Sequence, residues 1–132
     1  LAVQLTNSTS FFITGKETEE QWKEFLEQIR KHEQIVLAIH DNRGRPRSES
    51  DVNDAIRNFV DKLAGRRTIT VMFTNPYVLD NLPVARSGSV LLAYQNDGFM
   101  QKAALKVLLG QVKSKGKLPV HVNKEFAYGM GL

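Results

Sequence analysis

Residues 89–122, SVLLAYQNDGFMQKAALKVLLGQVKSKGKLPVHV, admit few folds. Val90, Leu91, Leu92 and Ala93 form an apolar run too short for a helix and too continuous for a half-exposed strand. Such a run is covered on both faces, as strands of a parallel sheet are. Asn96 or Asp97 can cap the element that follows, and Gly98 allows a sharp turn into it. Met100, Ala104, Val107 and Leu108 then recur at helical spacing, with Lys102 and Lys106 on the opposite face. Gly110 offers that helix a stop, and Lys106 suits the negative end of its dipole. Beyond a loop rich in Lys and Gly, Leu118 to Val122 predicts a further strand, and Pro119 places it at a sheet edge or a strand start.

The rest of the chain repeats this unit. Leu1 to Leu5 alternates as a short first strand, and Phe11 to Ile13 predicts another extended piece. Thr18-Glu19-Glu20-Gln21 has the spacing of a capping box. Trp22, Phe25, Leu26 and Ile29 follow at i, i+3, i+4 and i+7, a helix ending near His32. Trp22 lies on that stripe, which assigns it to the core rather than to sugar stacking.

Ile35 to Ile39 (IVLAI) predicts a central parallel strand. His40 to Arg47 is a polar loop, with Ser48 or Ser50 as the next helix cap. Val52, Ala55, Ile56, Phe59, Val60 and Leu63 then mark an amphipathic helix stopped by Gly65. Thr68 to Phe73 (TITVMF) predicts a second buried strand, broken by Asn75-Pro76-Tyr77, with Leu79 to Val84 as a short connection. The expectation is one α/β domain over residues 1–132. Its form would be a three-layer α/β/α sandwich on a mostly parallel sheet, in a flavodoxin-like arrangement.

Composition narrows the function. Hydrophobic content of 42% and charged content of 24% over 132 residues are ordinary for one globular domain. No apolar run approaches the ~20 residues needed to span a bilayer, so no membrane partner is expected. No basic-then-apolar leader opens the chain, and its start at Leu1 rather than Met points to a domain cut from a longer protein. The absence of cysteine removes disulfides, thiol nucleophiles and thiolate metal sites together. His32, His40 and His121 show no ligand spacing, so neither a metal nor another cofactor is expected. The net charge of +4 allows a modest attraction for anions and no more.

Three pieces of the chain carry a resemblance. Leu109-Gly110, then Gly116-Lys117-Leu118-Pro119-Val120, then Phe126-Ala127-Tyr128-Gly129-Met130-Gly131-Leu132 resembles the end of the C-terminal α/β domain of glycoside hydrolase family 3. There a G-K/R-L-P-V strand follows a helix with a small-residue stop, and F-x-Y/F-G-x-G-L closes the domain. Asn75-Pro76-Tyr77-Val78-Leu79, with Ala93-Tyr94 after it, is similar to the β-N-acetylglucosaminidase (β-hexosaminidase) branch. The resemblance runs from about Ile35 to Leu132 and implies a bacterial parent enzyme acting on N-acetylglucosamine-terminated glycans or peptidoglycan fragments. It implies a periplasmic or extracellular parent, and the catalytic barrel of the same polypeptide as partner.

A retaining glycosidase needs two carboxylates roughly 5 Å apart. In family 3 the nucleophilic Asp belongs to the barrel, and in this branch the acid–base pair does too. The glucosidase branch takes its acid Glu from the C-terminal domain, but Glu49, the one Glu in the corresponding loop, stands in no family motif. No catalytic residue is therefore expected in this chain, which alone should be inactive.

In open parallel sheets, ligands meet the loops beyond the carboxyl ends of the strands. Those loops hold the candidate substrate-binding residues His40, Asp41, Arg43, Asn75, Tyr77 and Gln95, with Asn96 and Asp97 beside them. His40-Asp41 could act as a general acid–base pair, but no nucleophile accompanies it. Arg43-Gly44-Arg45-Pro46 resembles the core of an AT-hook, which inserts Arg into a narrow minor groove. Glu49, Asp51 and Asp54 follow closely, and hooks sit in basic disordered tracts, so nucleic acid is not the expected partner. The rival reading from another class is a stand-alone module binding an anion or DNA through the Arg43 to Arg47 loop. Neither G-x-G-x-x-G nor G-x-x-x-x-G-K-[ST] occurs, which argues against a nucleotide site.

Overall fold

The computed structural model describes residues 7–40 and 52–132. Helix α1 (Glu19–Arg30) leads to strand β1 (Ile35–His40), helix α2 (Asp54–Leu63) and strand β2 (Thr68–Phe73). Two 3₁₀ turns, Pro76–Asn81 and Val84–Arg86, connect to β3 (Ser89–Leu92), and α3 (Gly98–Leu108) follows. The three strands form one all-parallel sheet in the order β1-β2-β3. The fold is α/β. Its sheet, three strands among the described residues, is narrower than a full sandwich.

Capping chemistry sets the helix starts. The Thr18 hydroxyl accepts from Gln21 N, and Gln21 Oε1 accepts from Thr18 N, closing the expected box on α1. Asp97 caps α3 by accepting from the backbone of Phe99 and Met100. The α3 end is a Schellman turn: Gly110 has φ +68°, its N donates to Val107 O, and Gln111 N donates to Lys106 O. For α2 the cap is Asn53, whose Oδ1 accepts from Ile56 N. It replaces Ser48 and Ser50, which lie outside the described residues, as does the first strand expected at Leu1 to Leu5. Asn53 Nδ2 also donates to Gly15 O (2.9 Å), tying α2 to the segment ahead of α1.

That segment carries a pH-sensitive contact. The Glu17 carboxylate accepts from Thr14 N (2.6 Å), Thr14 Oγ1 (2.8 Å) and Gly15 N (2.8 Å). Slight burial pushes its pKa up, but these hydrogen bonds outweigh that and hold it below the usual Glu range. A depressed carboxyl pKa stabilises the fold above the unfolded-state pKa, and the gain is lost as pH falls through the folded value. Glu17→Gln should therefore lower the urea midpoint at neutral pH and match the parent chain in acid. A constant offset at every pH would exclude titration as the cause.

The core lies on both faces of β2. Val71 and Phe73 pack with Ala93 and Ala104 on the α3 face. Met72 packs with Val60, Leu79, Leu82 and Val84 on the face covered by α2 and the 3₁₀ turns. A third cluster joins Ile35, Phe59 and Leu63 to the α1 stripe, including Trp22, Phe25, Leu26 and Ile29. Thr68 and Thr70 are fully buried and satisfied: Thr68 Oγ1 donates to Leu63 O, and Thr70 Oγ1 shares a hydrogen bond with Ser87 Oγ (2.8 Å).

Three expectations are corrected. The central strand is β2, and β1 is an edge strand among the described residues. Among the described residues Leu118 to Val122 joins no sheet: Leu118 and Val122 hydrogen-bond to Met130 and Phe126 farther along the chain. Phe11 to Ile13 is not a strand; Phe11 instead meets the Phe25 ring (5.2 Å), and Ile13 packs on the third cluster.

Candidate functional site

The parallel register brings the carboxyl ends of all three strands to one edge. His40 is paired with Phe73, and Met72 with Leu92, so Phe73 stands next to Ala93. His40, Thr74 and Tyr94 therefore lie at or just past neighbouring strand ends.

His40 is the most constrained group there. Its ring stacks on Phe73, with centroids 4.7 Å apart and planes 11° apart. Its Nδ1 lies 2.8 Å from Asn96 Oδ1, which also accepts from Gln101 Nε2 (3.1 Å). An oxygen that already receives one N–H faces Nδ1 as an acceptor, so the imidazole carries its proton on Nδ1. In the neutral ring Nε2 is then the lone-pair nitrogen, on an exposed residue. Long-range proton–nitrogen spectra of the neutral ring should find its proton on Nδ1. Asn96→Ala should let the proton move to Nε2. A neutral ring with its proton on Nε2 in the parent chain would overturn this arrangement.

The neighbouring loops are held by their own backbone contacts. Asn75 Oδ1 accepts from Tyr77 N (3.0 Å), which starts the first 3₁₀ turn and leaves the Tyr77 ring half exposed. Tyr94 has φ +62°, a left-handed conformation that costs a bulky residue about 1–3 kcal/mol. Gln95 N donates back to Ala93 O (2.7 Å), closing a tight turn around it. The Gln95 side chain is exposed.

Of the six expected site residues, His40, Asn75, Tyr77 and Gln95 thus share one edge. Among the described residues, no hydrogen bond joins the other three to His40. Asp41 and Arg43, like the rest of the Arg43 to Arg47 loop, lie outside the described residues. Asp97 is occupied as a helix cap. Phe73 and Gln101, which orient His40 and its partner, were not singled out by the sequence reading. Phe73 was visible only as the last apolar residue of TITVMF, and Gln101 carried no signal apart from lying one turn into a capped helix.

Chemically, the edge offers one oriented imidazole, exposed amides and two tyrosine rings. Among the described residues, no group of three His, Asp or Glu could hold a metal ion, and no helix is long and apolar enough to cross a membrane. No known family, curated protein or solved structure matches the chain.

Proposed function

We propose that this chain is the accessory C-terminal α/β domain of a family 3 glycoside hydrolase of the β-N-acetylglucosaminidase branch. It packs on the catalytic barrel of the same polypeptide and contributes the strand-end edge, His40 included, to the rim of the sugar site. The observation that carries this reading is the clasp formed by the two closing motifs. Leu118 of GKLPV donates to Met130 O (2.8 Å) and accepts from Gly129 N (2.8 Å), both in FAYGMGL. Val122 N likewise donates to Phe126 O (3.0 Å), and Leu118 is buried. Motifs separated in sequence that meet as one unit are what a shared structural role requires.

The outer side of the clasp supports the same reading. Tyr128, Met130 and Leu132 are 74%, 51% and 98% exposed, apolar side chains that another domain could cover. The substrates implied are N-acetylglucosamine-terminated glycans or peptidoglycan fragments, and the parent would work in the periplasm or outside the cell. Both carboxylates of the reaction would come from the barrel, so the chain alone should not cleave nitrophenyl β-N-acetylglucosaminide.

The deciding experiment is an immunoblot of the native gene product with antibody to this domain. A band well above 14.9 kDa, large enough to hold a barrel, is expected. A band near 14.9 kDa would remove the catalytic half and favour a binding module acting through Arg43 to Arg47.

A further inference from the structure

We propose that a cleft at the amino edge of the sheet, between the ends of α1 and α2, binds a small organic anion with an apolar body. The cleft is a half-open depression of about 330 Å³ lined by Leu26, Ile29, Arg30, Lys62, Leu63 and Arg67. Arg30 and Lys62 stand in the last turns of α1 and α2, and Arg67 immediately precedes β2. The site is therefore at the opposite end of the strands from His40, and it does not depend on the glycosidase reading.

Single cations at helix carboxyl ends are ordinary, since they complement the dipole. What is unusual is their convergence. Three positive side chains line one cleft, no carboxylate lines it with them, and none of the three forms an ion pair among the described residues. Exposed cations lining one cleft raise the local positive potential, and an anion seated among them is attracted by all three.

Arg67 is already positioned, because its Nη1 donates to His32 O (2.8 Å). A guanidinium held in this way keeps further N–H donors for a planar or tetrahedral oxyanion. Leu26, Ile29 and Leu63 supply an apolar floor, so the charge would be recognised together with a hydrophobic body.

Octanoate is the probe. Titrated into the nitrogen-labelled chain, it should give saturable amide shifts confined to residues 26–34 and 62–68. Octanol at equal concentration should leave those amides nearly unmoved, and added salt should weaken octanoate binding. The double variant Arg30→Gln, Lys62→Gln, at exposed positions, should keep the fold and raise Kd about tenfold or more. Equal response to octanol would overturn the proposal, as would shifts scattered over the chain or unchanged affinity in the variant. Inorganic phosphate binding as tightly as octanoate would overturn the role of the apolar floor, and with it the proposed ligand class.

Discussion

Phe59→Ala should lower the unfolding free energy by about 3–5 kcal/mol, the range for truncating a buried aromatic. Phe59 is 5% exposed and belongs to the cluster that joins α1, α2 and β1. Its ring lies 4.7 Å from Trp22 at 46°, and Trp22 meets Phe25 edge-on at 6.4 Å. Truncation leaves a cavity that two helices and a strand cannot jointly close, and it removes an aromatic pair worth about 0.5–1.5 kcal/mol beyond its burial. Urea unfolding with an unchanged slope is the measurement. A loss under about 1 kcal/mol would mean that the apolar face of α2 is not the face packed. Phe12→Ala is the control: at 93% exposure its effect should stay within about 0.5 kcal/mol.

Gly88→Ala should cost about 3 kcal/mol for a different reason. A Cβ at this position would lie 2.2 Å from Arg66 O and 3.0 Å from Arg66 C, both backbone atoms. Neither end of the clash can rotate away. Gly88 N is shared between Gly65 O and Thr68 O at 2.9 Å each, so the close approach holds the start of β3 against the start of β2. Moving residue 88 outward would strain those bonds and shift the β2–β3 register. Gly116→Ala is the matched control, because its added Cβ meets nothing within 4 Å. It should be neutral, or stabilise by up to about 1 kcal/mol through the unfolded chain. If the two variants unfolded at the same urea concentration, the approach of Gly88 to Arg66 would be looser than described.

The sequence was most legible where local chemistry and burial agree. TITVMF is a strand over its full length, Thr18 and Gln21 close their box, and Asp97 and Gly110 bound α3 as expected. The errors share a cause. An apolar run reports that a strand is covered, not where it stands in a sheet, so IVLAI reads as central although β1 is at an edge among the described residues. LPVHV has the composition of a strand, but its hydrogen-bonding partners lie a few residues downstream, and composition does not name a partner. The start of α2 is ambiguous in the sequence because Ser48, Ser50 and Asn53 are all competent caps.

The candidate edge was legible as a position, because parallel strands must end together. The orientation of His40 was not. It depends on Asn96 and Gln101, which are brought to β1 by a loop and helix that follow β3. No local pattern encodes a contact of that range.

The all-parallel sheet also governs how this chain can find its fold. Ile35 pairs with Thr68, and Ile69 with Ser89, so neither ladder joins residues that are close in sequence. There is no hairpin among the described residues from which pairing could spread. Each ladder must close a long loop before any of its hydrogen bonds form, and that entropy opposes the early steps. Helix α2, capped at Asn53, links β1 to β2 in sequence, and its Val60 packs in the cluster that holds Met72 of β2 and Leu37 of β1. Folding should be slower than for a helical bundle of equal length, with the barrier set by the first strand encounter rather than by the helices.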